Sequence, residues 1–408
     1  MHELFEATKL TKSDVAKNSG FLDWNTQPSR FKCYPEFSFR YRAQELGAYA
    51  WLLDLRQITD SRLIAKKPYD RLNTPSAGNL HPIELYVQIR NIKGILSGIY
   101  HIDVAHQELV LIREIEKEGL ECSLGMNMRY RGIILLLSLV PFRSFWKYGL
   151  RSWRYLYLDA GHQIATIWAL LKNQQHNATI VSGFDAKTLN YDMGFEDKEF
   201  TCKVFALGES SDRKAEVMSS ALMHVLPTDY TEAIPLLKQQ LEDESIITDT
   251  VLSVPECITI SEIDTLLKTR RSAREFTPLS LQKPLVEQLM NMFECSASLI
   301  LLRCEGYESG IYRRKHLLRK GFFPKECVDL LVAQRFIHSA AVVIVLHVKN
   351  PDYQEHVNAG ILAQWMYLFA EQNRLGCTGV GAYYDDALRS FLDTDDEIVY
   401  VIALGARS

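Results

Sequence analysis

Two short stretches carry residue types whose spacing suits ligand chemistry. Arg270-Arg271-Ser272-Ala273-Arg274 sets a hydroxyl between two alternate arginines. Guanidinium forks give charge-assisted, bidentate bonds to a phosphate, and the serine adds another donor. A solvated basic helix end would use the same residue types. The second stretch is Thr74-Pro75-Ser76-Ala77-Gly78-Asn79-Leu80-His81-Pro82. Pro75 and Pro82 fix φ and bias the residues before them to extended geometry. Gly78 permits a turn that alanine would resist. Ser76 and Asn79 bring short donors and acceptors close to the backbone. Beside the strand-like run Ile83 to Ile89, such a turn can present several donors to one flat polar ligand. An ordinary connection is built from similar residues.

The elements that must position these stretches occur twice. Ser97-Gly98-Ile99-Tyr100 recurs as Ser309-Gly310-Ile311-Tyr312, Asp159-Ala160-Gly161 as Asn358-Ala359-Gly360, and Ala206-Leu207-Gly208 as Ala403-Leu404-Gly405. Each match falls in the same expected element and the order is kept, so chance is a poor explanation. The offset falls from 212 to 199 between the first two matches, which places extra residues in the first copy, around Arg143–Arg154. The expected plan is an aromatic, extended arm over 1–42, one α/β unit over 43–210, a charged connection over 211–258 and a second unit over 259–408. Gln44–Gln57 has helical periodicity, Ala233–Glu242 reads as an amphipathic helix, Ser261 as an N-cap, and Asp385-Asp386 as a helix cap. Two fused copies of one fold tend to reproduce homodimer packing, so an internal pseudo-dimer is expected.

The copies differ in what they kept. Only the second has the arginine cluster; Ala50-Trp51-Leu52-Leu53 stands at the equivalent place in the first. Only the first has the Pro75–Pro82 turn; its counterpart, Glu294-Cys295-Ser296-Ala297-Ser298-Leu299, has lost both prolines, the glycine and the asparagine.

Composition narrows the classes. A length of 408 residues with 47% apolar and 24% charged residues describes globular domains. A formal net charge of -4 gives no polyanion footprint, so nucleic acid is not an expected partner. The eight cysteines show no zinc or disulfide spacing, no apolar run reaches membrane-span length, and the N-terminus has no secretory pattern. No metal site, no membrane and a cytoplasmic location are expected.

The Pro75–Pro82 run followed by Glu84-Leu85-Tyr86 resembles the nitroreductase superfamily, and within it the SagB/ThcOx branch of peptide azoline dehydrogenases. Thr8-Lys9, the Gln27–Pro35 segment and Ser97–Tyr100 are similar to that branch. The second copy resembles the superfamily through Arg270, Ser272, Arg274, Ala359-Gly360 and Gly376-Cys377-Thr378-Gly379-Val380-Gly381-Ala382-Tyr383. The resemblance implies an α+β fold of two nitroreductase-like domains, each a mostly antiparallel sheet flanked by helices, and FMN as cofactor. It implies that Arg270, Ser272 and Arg274 hold the phosphate and that Pro75, Ser76, Gly78 and Asn79 contact the flavin ring. One complete set per chain implies a single FMN. Gly379-Val380-Gly381 would bring backbone N–H toward flavin N5, and Arg407 would be a second cationic phosphate contact. Lys147-Tyr148, in the stretch peculiar to the first copy, matches a Lys-Tyr pair of the azoline dehydrogenases. A lysine neutralised by burial, or a tyrosinate beside a cation, would take the Cα proton of an azoline while hydride passes to flavin.

The expected function is FMN-dependent oxidation of azolines in a modified peptide or a related small substrate. One competing reading is reduction of a small electrophile with NAD(P)H, which would have to stack transiently on the flavin because GxGxxG is absent. Another is a flavin-free scaffold in a peptide-modifying complex, with Trp24, Phe31 and Tyr34 holding a partner.

Overall fold

Apolar β-branched runs separated by turn residues form two antiparallel sheets in this computed structural model, which describes residues 2–17, 22–64, 67–232, 234–244, 252–293 and 297–407. The chain divides into two compact units, Asp23–Thr250 and Met1–Leu22 with Val251–Ser408.

In the Asp23–Thr250 unit the strands are β1 (Arg40–Arg42), β2 (Ile58–Ile64), β3 (Lys67–Leu72), β4 (Ile83–Arg90), β5 (Gly98–Asp103), β6 (Glu108–Glu114), β7 (Met128–Leu139), β8 (Thr179–Val181) and β9 (Phe200–Lys214). β2 and β3 form a separate hairpin, and the others make one sheet in the order β1-β6-β5-β4-β7-β9-β8. Every residue of β4 is buried, which is why Ile83–Ile89 reads as a nearly continuous apolar run.

The other unit holds β10 (Phe276–Thr277), β11 (Ala297–Leu301), β12 (Gly310–Arg313), β13 (His316–Lys320), β14 (Val342–Val348), β15 (Leu375–Val380) and β16 (Glu397–Arg407). They are ordered β10-β16-β14-β11-β12-β13, with β15 also on β16. The succession β13-β12-β11-β14-β16-β15 repeats β6-β5-β4-β7-β9-β8 strand for strand. The repeated tetrapeptides lie at β5 and β12, and the Ala-Leu-Gly triplets lie in β9 and β16. The duplication read from three short matches is thus a duplication of topology. The long helices Ser152–Asn173 and Tyr353–Gln372 also correspond. Between the preceding strand and that helix the first copy has residues 140–151, including an extra helix, Pro141–Tyr148; the second has only 349–352.

Several local expectations give way to backbone constraints. Gln44–Gln57 is not one helix but three short turns, broken at Gly47, whose φ is 54°. Ser261 is not a cap; it lies inside the Ile260–Glu262 turn that precedes the Ile263–Thr269 helix. Asp385 is not the cap of Asp385–Leu392, which begins after Tyr384. Its buried carboxylate instead accepts the Leu10 N–H at 2.9 Å. The amphipathic linker helix runs Pro235–Glu244; Ala233 lies outside the described residues. The arm is not one extended piece. Its first part forms the helices His2–Ala7 and Lys12–Lys17 and goes with the second repeat, because Phe5 is buried there and Lys9 pairs with Glu397 at 3.1 Å. Glu294, Cys295 and Ser296, in the counterpart of the turn, lie outside the described residues.

Candidate active site

Thr74 to Pro82 leaves the β2–β3 hairpin and enters β4 through a single 3-10 turn at Ala77–Asn79. Gly78, Asn79 and His81 have φ of 63°, 61° and 52°. Such dihedrals are natural for glycine and tolerated by asparagine, which explains Gly78-Asn79 in the sequence. The turn is held by side chains the sequence offered as ligand contacts. Ser76 Oγ donates to Asp159 at 2.6 Å and accepts the His81 N–H at 2.9 Å. Asn79 Nδ2 donates to the Asp70 carbonyl at 2.9 Å, and its Oδ1 lies 3.0 Å from His81 Nε2. Burial, reinforced by Arg56 and Arg30, keeps the His81 imidazole neutral. Ser76 and Asn79 therefore set the shape of the turn.

The Lys-Tyr pair sits against this turn. The Pro141–Tyr148 helix starts with proline at its first position and ends at Gly149, whose φ is 53°. It places Lys147 and Tyr148 over Gly78: a Cβ at Gly78 would collide with Tyr148 Oη and lie 3.1 Å from Lys147 Nζ. Glycine is required there both by φ and by space. The Tyr148 ring packs edge-on against Tyr155 at 4.6 Å, and Lys147 Nζ lies 5.0 Å from the Trp24 ring centroid. Sequence distance gave no hint that residues 78 and 147–148 would meet.

Three functional residues of this unit were not picked out by sequence. Asp159 receives the Ser76 hydroxyl and the Ala77 N–H, the latter at 3.1 Å. Its signal was present: the repeat aligns it with Asn358, in the copy that lost the turn. Arg143, fully buried, donates to the carbonyls of Ser29, His81 and Pro227 and pairs with Glu84 at 2.6 Å. Arg56 reaches both the His81 carbonyl and Glu84. A helix rich in Arg, Lys and Trp looks like a solvated basic surface, so its buried arginine was invisible to pattern.

Burial pushes the Asp159 carboxyl up to about 7, despite the opposing bonds from Ser76 and Ala77 and the nearby Arg56. Between the ordinary value near 4 and about 7 the folded state keeps a proton that the unfolded chain releases. Stability from this group is then greatest below pH 4 and falls as pH rises, by up to about 1.4 kcal/mol per unit, until about pH 7. Asp159→Asn is expected to remove that slope from the pH dependence of urea unfolding. An unchanged slope would place the titration elsewhere.

In the other unit a second set of groups gathers on Tyr367. Its hydroxyl lies 3.0 Å from Ser272 Oγ and accepts the Gly379 N–H at 2.8 Å. The buried Arg270 guanidinium lies 5.0 Å from the Tyr367 ring centroid. Ser272 is bridged to Cys377 of β15, and the Ala273 N–H donates to the Cys377 carbonyl at 2.8 Å. Arg270, Ser272 and Gly379 are thus brought together. Arg274 is exposed, and Val380 is buried in the apolar core. Gly381 follows β15, and Arg407 ends β16. Arg407 donates to Glu371 at 2.5 Å and to the Leu375 carbonyl at 3.1 Å. The Gly379 N–H, expected to face a ligand, is directed to Tyr367. Glycine is needed at 379 because a Cβ would run into Tyr400 Oη. A buried guanidinium beside a serine hydroxyl is a donor set that fits a phosphate monoester. Tyr367 aligns with Trp168 in the first copy, where an indole offers no oxygen to gather these groups.

The fold has a known counterpart. A crystal structure of a nitroreductase-named protein from Anabaena variabilis superposes with a TM-score of 0.81, covering 100% of this chain and 99% of that one at 20% identity. Residues 313–406 match the Nitroreductase family. The chain shares the fold of that structure, and its second repeat is similar to the Nitroreductase family. A Methanocaldococcus jannaschii protein bearing a nitroreductase name is 29% identical over 100 residues, 24% of this chain and 50% of the relative. The chain spans about half the length of that curated relative. The family match falls in the second repeat; the first, with its extra helix and its Lys-Tyr pair, shares the strand order of the second. Among the described residues no helix is long and apolar enough to cross a membrane.

Proposed function

We propose that this chain is an FMN-dependent oxidoreductase of the nitroreductase superfamily that dehydrogenates an azoline ring in a modified peptide or a related small substrate. The observation that carries the reading is the seating of Lys147 and Tyr148 on the Gly78 turn. An acid–base pair lies against the turn that the family resemblance assigns to the flavin ring. When bound, FMN supplies a two-electron acceptor. The chain's own part is the proton: Tyr148 Oη or Lys147 Nζ takes the one lost from the ring carbon. Gly78 leaves space for both groups, and Asp159, Arg56 and Arg143 hold the turn to which they are fitted. Arg270 and Ser272, gathered on Tyr367, would bind the phosphate.

Among the described residues the turn with its Asp159 anchor occurs once and the arginine cluster with Tyr367 occurs once, which supports one FMN per chain. Purified holoprotein should carry flavin and protein in a ratio near one, and Arg270→Met should lower it. A ratio near two would overturn the single site. Oxidation of a thiazoline peptide with oxygen uptake is the expected activity. Flavin bleaching by NAD(P)H alone, with no oxidation of the peptide, would replace it with the reductase reading.

A further inference from the structure

Trp24 is more exposed than the other five tryptophans. Trp51, Trp153 and Trp365 are buried, whereas Trp24 is 50% exposed. An indole left half in water forgoes much of its burial free energy, yet this one is firmly held. Asp23 caps the Trp24–Thr26 turn by accepting the Asn25 N–H at 2.9 Å. Thr26 Oγ1 accepts the Trp146 indole N–H at 3.0 Å, and its carbonyl accepts the Tyr230 hydroxyl. Three residues on, Ser29 and Asp229 exchange a reciprocal pair of bonds, each 2.8 Å. The strap from Asp23 to Ser29 is therefore stitched to the 227–230 segment and to the helix that carries Lys147.

Its rings make a corner. Trp146 meets Trp24 edge-on, with centroids 5.5 Å apart and an interplanar angle of 68°. Lys147 Nζ lies 5.0 Å from the Trp24 centroid and 5.2 Å from that of Tyr148. The exposed indole is thus fixed within one side chain of the groups assigned to proton transfer. A fixed aromatic wall with an amine nitrogen 5.0 Å from its ring centroid suits a flat, π-bonded group carrying a lone pair or carbonyl oxygen.

We infer that the Trp24–Trp146 corner is a substrate subsite that receives a planar aromatic or heteroaromatic group attached to the reacting ring, with Trp24 the residue that selects for it. Flat groups stack on the indole, and Lys147 meets their polar edge. Compact aliphatic substituents gain little there. Substrates with a neighbouring ring, such as peptides in which azoles and azolines are linked in series, are the class this corner favours. The inference rests on the azoline-dehydrogenase reading for its assay, though not for its binding test.

Holoprotein is assayed with 2-phenylthiazoline-4-carboxamide and with its 2-methyl analogue. Trp24→Ala is expected to raise KM for the phenyl compound roughly 3- to 10-fold, the size of one aromatic stacking contact, and to change KM for the methyl compound much less. Trp24→Phe should recover most of the loss. Equal changes for both compounds would overturn the subsite, since Trp24 would then act only by placing Lys147. If the wild-type protein oxidises neither compound, the functional reading falls, and the subsite is decided by calorimetric titration of the holoprotein with 2-phenylthiazole. Binding that weakens in Trp24→Ala and survives in Trp24→Phe supports it; absent or unchanged binding overturns it.

Discussion

Lys147→Ala and Tyr148→Phe are each expected to slow azoline oxidation by about 10²–10⁴-fold, the usual contribution of a positioned acid–base group, with FMN still bound. The second substitution is the sharper. It removes one oxygen and leaves the ring that packs on Tyr155 at 4.6 Å, so a large loss cannot be a packing loss. Lys147→Ala removes the amine near both Trp24 and Tyr148 and opens space above Gly78. The two side chains share one small volume, and their effects should be far from additive: the double variant should be little worse than the poorer single one. Stopped-flow bleaching of the flavin by a thiazoline peptide separates the chemical step from product release, and the flavin-to-protein ratio reports the cofactor. Full activity in both single variants would remove the pair from the reaction.

What could be read from the sequence was what is local or periodic. Gly78 and the two flanking prolines announced a turn with a left-handed residue, and φ of 63° at Gly78 is that turn. Three short repeats announced a duplicated topology because each lies in an element whose type its own residues determine. What could not be read was long-range. Nothing in Pro141–Tyr148 indicates that its seventh and eighth residues cover a turn some seventy positions earlier. Nothing in Arg143 distinguishes it from its solvated neighbours until the carbonyls of Ser29, His81 and Pro227 converge on it. Comparing the copies narrows this gap. The long helices carry Asp159 and Trp168 in one and Asn358 and Tyr367 in the other. Asp159 anchors the turn in the copy that has a turn. Tyr367 gathers Ser272 and Gly379 in the copy that has the arginine cluster. Two positions on one helix thus report which motif each copy kept, and both were available in the sequence once the repeat was in register.

Arg143→Met is expected to destabilise the Asp23–Thr250 unit by about 3–5 kcal/mol, the range for breaking a buried ion pair from one side. The methionine keeps most of the stem's packing, so the loss is polar. Three carbonyls lose a charged donor, and Glu84 keeps Arg56 at 3.1 Å, His101 at 3.0 Å and the Lys32 backbone N–H at 3.0 Å. Burial alone would raise the Glu84 carboxyl; Arg143 and Arg56, with His101, outweigh it and hold it far below the ordinary 4.5. A carboxylate held down in the fold contributes stability that is complete above its unfolded value and is lost as pH falls below it. Without Arg143 the carboxyl rises toward its ordinary range, and acid unfolding followed by tryptophan fluorescence should begin at higher pH. Because the same guanidinium bonds the His81 carbonyl at the end of the turn and sits four residues before Lys147, Arg143→Met should lose activity under conditions where the unit is still folded. Glu84→Gln in the same background should cost less than the sum of the single changes, since each removes the other's partner. An acid-unfolding midpoint unmoved in Arg143→Met would mean that Arg56 and His101 suffice to keep Glu84 ionised, and that Arg143 serves the three carbonyls alone.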